Sequence, residues 1–211
     1  MEENYKETFK HYENVRNRLF IKVQRDTANS AIVNWPCKRI DKTDLIMTYH
    51  VMFSVVRTPS MSELNAAPVT NELLALWGIS EDQLHEDAIA SAVRLFPEKH
   101  DSIEKMITVF PMGDARTGLV VLTTDVGVNG AAAIAYPGVL EKIAEEEDED
   151  VLFIFPSSVH EVIVLPLSLS EGNVNAYKEM VTDINTTLSP KDVLSNNVYI
   201  YTKKDDTIRI V

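Results

Sequence analysis

The stretch from residue 151 to residue 166 constrains this chain most: Val-Leu-Phe-Ile-Phe-Pro-Ser-Ser-Val-His-Glu-Val-Ile-Val-Leu-Pro. Two short apolar runs, 151–155 and 162–165, are rich in β-branched and aromatic residues and bounded by Pro156 and Pro166. Runs of that length and composition read as two strands. Between them lies a polar bend carrying Ser157, Ser158, His160 and Glu161, the one compact cluster of reactive side-chain types in the sequence.

The rest of the chain is judged by what it can support around that hairpin. With 211 residues, 45% of them apolar, it can bury a core without staples. Against 20 Lys plus Arg stand 32 Asp plus Glu, a formal charge of −12, so nucleic acid and anionic membrane are poor partners. Cys37 is the single cysteine, which excludes an internal disulfide and a Cys-type zinc site and points to a reducing cytoplasm. No apolar run approaches the ~20 residues needed to span a bilayer, and the amino terminus is charged rather than signal-like.

Taken in order, residues 4–20 place Tyr5, Phe9, Tyr12, Val15, Leu19 and Phe20 near a helical repeat, and a strand begins at 21–23. Residues 27–33 read as a short helix, 45–56 as a long strand mostly buried on both faces, and 63–67 as its antiparallel return. Thr70 caps a helix over 71–77 that Gly78 ends, and Ser80 with Gln83 forms a capping box for a helix over 81–96. That helix has Leu84, Ala88, Ala92, Val93 and Phe96 on its core side, and residues 102–109 read as another helix. The Pro- and Gly-containing stretch 110–117 marks a boundary between a helix-rich α/β half, 1–110, and an α+β half, 117–211, unless the two form one continuous domain.

In the second half, 119–123 reads as a strand, Asn129-Gly130 as a hairpin turn, 131–136 as the returning strand and 139–146 as a helix. A helix over 173–186 sets Val174, Tyr177, Val181 and Ile184 on one side, Ser189-Pro190 opens a helical turn, and 198–201 pairs with 207–211. The order β-β-α-β-β-α-β, joined by hairpins, predicts an α+β fold with a mixed or mainly antiparallel sheet and helices packed on it.

Several tracts resemble an uncharacterised family of bacterial proteins common in gut Clostridia. They are Ala-Ala-Ala-Ile-Ala-Tyr-Pro-Gly-Val-Leu at 131–140, Phe-Pro-Ser-Ser-Val-His-Glu-Val-Ile at 155–163, Pro-Lys-Asp-Val-Leu-Ser at 190–195, and Leu-Ala-Leu-Trp-Gly-Ile-Ser-Glu-Asp-Gln-Leu at 74–84. The resemblance covers most of the chain in a constant order. It implies a bacterial, cytoplasmic protein, a fragment or a shortened relative of members that carry an extra amino-terminal segment, and no particular chemistry.

Ser157, Ser158, His160 and Glu161 contain the groups of a hydrolytic triad, in which a base activates a hydroxyl and a carboxylate orients the base. If the bend passes straight into a strand, Ser158 and His160 share one face and Glu161 the other, so the orienting carboxylate comes from elsewhere. No Gly-x-Ser-x-Gly elbow surrounds the serines, and a turn whose serines satisfy backbone groups accounts for the same residues. No cofactor motif is present: His160-Glu161 lacks the second histidine of the helical zinc signature, and Gly127 to Gly130 lacks the phosphate-loop pattern. His50 reads as a core histidine with one satisfied nitrogen, and the acidic run 145–150 as a solvated helix end rather than a metal site. The leading functional expectation is a non-enzymatic binding or protein-interaction module with a protein or small-molecule partner. The alternative is a hydrolase using Ser157 or Ser158 with His160.

Overall fold

Apolar runs buried on both faces set the architecture. The computed structural model describes residues 9–26, 34–58, 62–106 and 117–211. Among these the strands are β1 (Leu19–Arg25), β2 (Cys37–Arg39), β3 (Leu45–Arg57), β4 (Ser62–Pro68), β5 (Glu98–Ser102), β6 (Val120–Thr124), β7 (Val151–Phe155), β8 (Val162–Pro166), β9 (Tyr199–Thr202) and β10 (Thr207–Ile210). The helices are α1 (Tyr12–Val15), α2 (Asn71–Trp77), α3 (Glu81–Leu95), α4 (Ile103–Met106), α5 (Val139–Glu146) and α6 (Val174–Thr187).

In the first sheet, β1, β2 and β4 all pair antiparallel with the long β3. The other strands form a six-stranded antiparallel sheet in the order β10-β9-β7-β8-β6-β5. Helices pack on the sheets, so the fold is α+β.

In the second sheet, Phe153 lies opposite Leu165 and Phe155 opposite Ile163, while Ile154 lies opposite Val164. Side chains of a strand alternate between faces, and here both faces are covered. Leu152, Ile154, Val162, Val164, Tyr199 and Tyr201 join the larger core with β1, β3 and α3. Phe153, Phe155, Leu165 and Ile200 join a smaller core closed by Val181 of α6. Each fully buried aliphatic or aromatic side chain contributes about 1.5–3 kcal/mol, so the central strands are unbroken apolar runs because neither face meets water.

The capping signals are realised in part. Thr70 Oγ1 accepts the Leu73 N–H at 3.3 Å and Gly78 closes α2 at φ 66°, a left-handed turn that suits glycine. Ser80 Oγ accepts the Gln83 N–H at 3.1 Å. The reciprocal half of that box is absent, because the Gln83 side chain donates instead to Asp87 at 3.0 Å. Asp87 also accepts from Tyr12 at 2.7 Å and Arg16 at 2.8 Å, which docks α1 on α3.

Several expectations are corrected. The amino-terminal helix stops early: α1 ends at Val15, a 3-10 turn covers Arg16–Arg18, and Leu19 and Phe20 belong to β1. All seven β1 residues pair with β3, so the ladder wins over the helical repeat there. Val93 is exposed, because the buried stripe of α3 runs through Leu84, Ala88, Ser91 and Ala92, and Val93 lies about 100° beyond Ala92 and opposite Leu84. Residues Glu98–Ser102 form β5, so Ser102 belongs to a strand and the helix expected from it begins at Ile103; residues 107–109 of that helix lie outside the described residues.

Residues Gly130–Ala135 form a 3-10 helix where the returning strand of a hairpin was expected. Asn129 takes a left-handed φ of 56°, and a Cβ on Gly130 would stand 2.4 Å from the His160 carbonyl oxygen. The missing Cβ at Gly130 lets this turn press against β6 and the bend. Ser189-Pro190 makes a turn only. The second half therefore runs β-α-β-β-α-β-β. The expected helix at 27–33 and most of the 110–117 boundary lie outside the described residues.

The two sheets are joined through Asp44, just before β3. Its carboxylate accepts from Tyr199 Oη at 2.5 Å and from Ser195 Oγ at 2.9 Å, while Arg25 Nε stands 3.7 Å away. Burial, then the Asp44 hydrogen bond, pushes the Tyr199 phenol far above its ordinary pKa, so it remains a donor. A hydrogen bond to a charged group contributes about 1.5–3 kcal/mol. Tyr199→Phe is expected to cost that much in urea unfolding, with the melting temperature falling in parallel.

Candidate functional site

The bend between β7 and β8 begins at Pro156, and β8 starts only at Val162. Strand alternation therefore does not apply across the bend, and the structure groups its residues differently from that simple picture. Ser158 is 3% exposed, and its hydroxyl donates to Glu161 Oε1 at 2.7 Å. Ser158 Oγ also accepts the backbone N–H of His160 at 3.0 Å and of Glu161 at 3.3 Å. A serine hydroxyl offers one donor and two acceptor positions, so Ser158 is fully occupied by its own turn. Ser157 Oγ lies 3.5 Å from the same Glu161 oxygen.

His160 is engaged elsewhere. Its Nδ1 accepts the Asn129 N–H at 3.2 Å, which leaves the ring proton of the neutral form on Nε2, 3.7 Å from Asp192 Oδ1. Its carbonyl accepts from Thr123 Oγ1 at 2.8 Å. The bend thus brings Ser158 to Glu161, and His160 to Asn129 and Asp192. Among the described residues, no hydrogen bond joins either serine hydroxyl to the imidazole.

A second locus opens on the outer face of the six-stranded sheet. A cavity of about 230 Å³ lies between that face and α6. Phe155, Ile163 and Leu165 line it from the sheet, Tyr177, Met180, Val181 and Ile184 from α6, and Ile103 and Leu119 from the segments beside β5 and β6. Its other lining residues are Ser157 and Asn185, and among the described residues no charged side chain lines it. Tyr177 stands edge-on to Phe153 and Phe155, with ring centres 5.5 and 5.2 Å apart. The Asn185 amide nitrogen donates to Ser195 O and Asn196 Oδ1, both at 2.8 Å, which fixes its orientation. Met180 and Ile184 are 42% and 43% exposed and form an apolar rim.

Sequence reasoning singled out the bend and missed the cavity, although its signals were present. Phe155, Ile163 and Leu165 share one face by strand alternation, and Tyr177, Met180, Val181 and Ile184 follow helical spacing. What a linear reading lacks is the distance between helix and sheet.

The remaining candidates have structural roles. His50 is buried, with Nε2 3.0 Å from Thr48 Oγ1. Desolvation, then Lys22, lowers its pKa to about 3, so it packs as a neutral ring. In the acidic run, Glu149 accepts the Ser168 N–H at 3.2 Å and Glu145 meets Lys203 at 3.3 Å. Among the described residues, no group of three or more His, Cys, Asp or Glu is placed to hold a metal ion, and no helix is long and apolar enough to cross a membrane.

Comparison with known proteins gives a family model, described as a family of unknown function (DUF5688), that matches residues 1–203. No curated protein and no solved structure matches the chain. The match covers most of the chain, as the resemblance in the sequence implied.

Ser158→Ala removes the donor to Glu161 and leaves two backbone N–H groups without their acceptor. A loss of about 1–3 kcal/mol in chemical denaturation is expected. Ser157→Ala, which removes only a 3.5 Å contact, is expected within about 0.5 kcal/mol of the parent in the same experiment.

Proposed function

Because the chain belongs to DUF5688, a family of unknown function, we propose its role from its own geometry: a non-enzymatic binding module of the bacterial cytoplasm. Its ligand is a small, uncharged, largely apolar molecule held between α6 and the six-stranded sheet. The observation that carries this reading is the concave, apolar cavity lined by Phe155, Leu165, Val181 and their neighbours. Ligand sites are characteristically concave and apolar with a few polar groups, and this one has Ser157 and Asn185.

The chemistry of the lining selects the ligand class. A charged molecule entering here would lose its hydration with no counter-charge among the described lining residues to replace it, which is costly. An apolar molecule gains about 25 cal/mol for each Å² it removes from water. The formal charge of −12 supports the parts of the reading that exclude nucleic acid and anionic membrane as partners. The Ser-Ser-Val-His-Glu bend is assigned to shaping the β7–β8 connection, since the hydroxyl of Ser158 has no capacity left for an imidazole. Hydrolysis by a Ser/His pair is therefore not part of the proposal.

Titration of the full chain with Nile red, an uncharged apolar dye, is expected to give a saturable fluorescence increase with one site. Ile184→Glu places a charge on the exposed rim and is expected to weaken that binding by about tenfold or more, with circular dichroism and melting temperature close to the parent. Non-saturable binding, or equal binding by a folded Ile184→Glu chain, would overturn the reading.

A further inference from the structure

β5 is fastened on two sides. On one, its backbone pairs with β6, and His100 stands opposite Leu122. On the other, the His100 ring reaches α5, and it does so between two carboxylates: Nδ1 is 2.8 Å from Glu98 Oε2 and Nε2 is 2.8 Å from Glu146 Oε2. Carboxylates only accept, and a neutral imidazole carries a single N–H. Both contacts are hydrogen bonds at once only when the ring is the doubly protonated cation.

The surroundings favour that cation. Lys142 Nζ of α5 lies 2.6 Å from Glu98 Oε1 and holds that carboxylate in place. On β5, Asp101 falls on the strand face opposite His100, where it is paired with Lys105 of α4 at 2.8 Å. By strand alternation Lys99 belongs to the other face, and β6 contributes the uncharged Leu122, Thr123 and Thr124 beside β5. Burial on its own would lower the His100 pKa, but the hydrogen bonds to Glu146 and Glu98 outweigh it, and the net shift is upward.

The chain leaves β5 directly into Ile103, a wall residue of the cavity, whose N–H donates to the carbonyl of Leu119, another wall residue, at 2.9 Å. We propose that His100 is a proton-operated clamp on this wall: protonated, it pins β5 to α5 and holds Ile103 and Leu119 in register; deprotonated, it releases that end of the sheet. The effect on ligand rests on the binding reading above, whereas the clamp itself does not. A pKa higher in the folded than in the unfolded chain makes the clamp's contribution complete below the unfolded value of about 6.5, and lost as pH rises through the folded value.

The test is an NMR titration of the His100 ring in the full chain, with amide exchange of β5 followed over the same pH range after correction for intrinsic rates. Exchange of β1 serves as the internal reference. His100 is expected to titrate above the ordinary histidine value and to move downward in Glu146→Gln, whose side chain is half exposed in the parent. Protection of β5 is expected to fall severalfold relative to β1 across that titration, and to be independent of pH in His100→Gln. Nile red affinity is expected to weaken over the same window. A His100 pKa at or below about 6.5, or β5 protection that tracks β1, overturns the clamp. The expected β5 behaviour without dye binding at any pH supports the clamp and overturns the binding reading alone.

Discussion

Everything in the second half depends on the β7–β8 pair being covered on both faces. Leu152 and Ile154 go to the larger core while Phe153 and Phe155 go to the smaller one, and β8 and β9 repeat the division. A strand with water on one face can trade its outer residues for polar ones, but this pair cannot. Its two faces serve different ends. The inner face joins the six-stranded sheet to the rest of the molecule, and the outer face, with α6 over it, leaves a gap that the side chains do not fill.

Local signals in the chain were readable wherever one short segment decides its own structure. The turn at Gly78, the caps at Thr70 and Ser80, the helix after Pro137-Gly138 and the strands on either side of the bend all follow from residues within a few positions of one another. The failures have a common physical origin. Leu19 and Phe20 fit a helical repeat and a strand equally well, and only pairing with His50 and Val51 settles the matter. The alanines after Gly130 fit a strand by pattern, but they form a 3-10 helix that starts where a Cβ on Gly130 would collide with the His160 carbonyl. β5 carries no apolar alternation at all, and becomes a strand because β6 offers it a ladder.

The same division runs through the candidate sites. The residue types of the bend suggested catalysis, whereas their hydrogen bonds depend on where the backbone turns. With Ser158 enclosed by Glu161 and two amide groups, the cluster closes on itself. The contacts that hold the molecule together at long range, Asp44 with Tyr199 and Asp87 with Tyr12, join polar residues that nothing in the linear order connects. Partial burial makes each of those partners specific, since a carboxylate shielded from water is costly without donors.

The two outermost strands of the larger sheet bear on how the molecule behaves in a crowded solution. A sheet margin with free N–H and C=O groups is a template for another chain's strand. At one margin β5 presents Glu98, Lys99, His100, Asp101 and Ser102, and a second strand docking there would have to strip water from charges of both signs. At the other, the Ile210 N–H of β10 is already bound to the Lys42 carbonyl at 3.0 Å. The sheet that buries the most apolar strands is thus bordered by its most polar one, and growth by strand addition is discouraged where the interior would gain most from it.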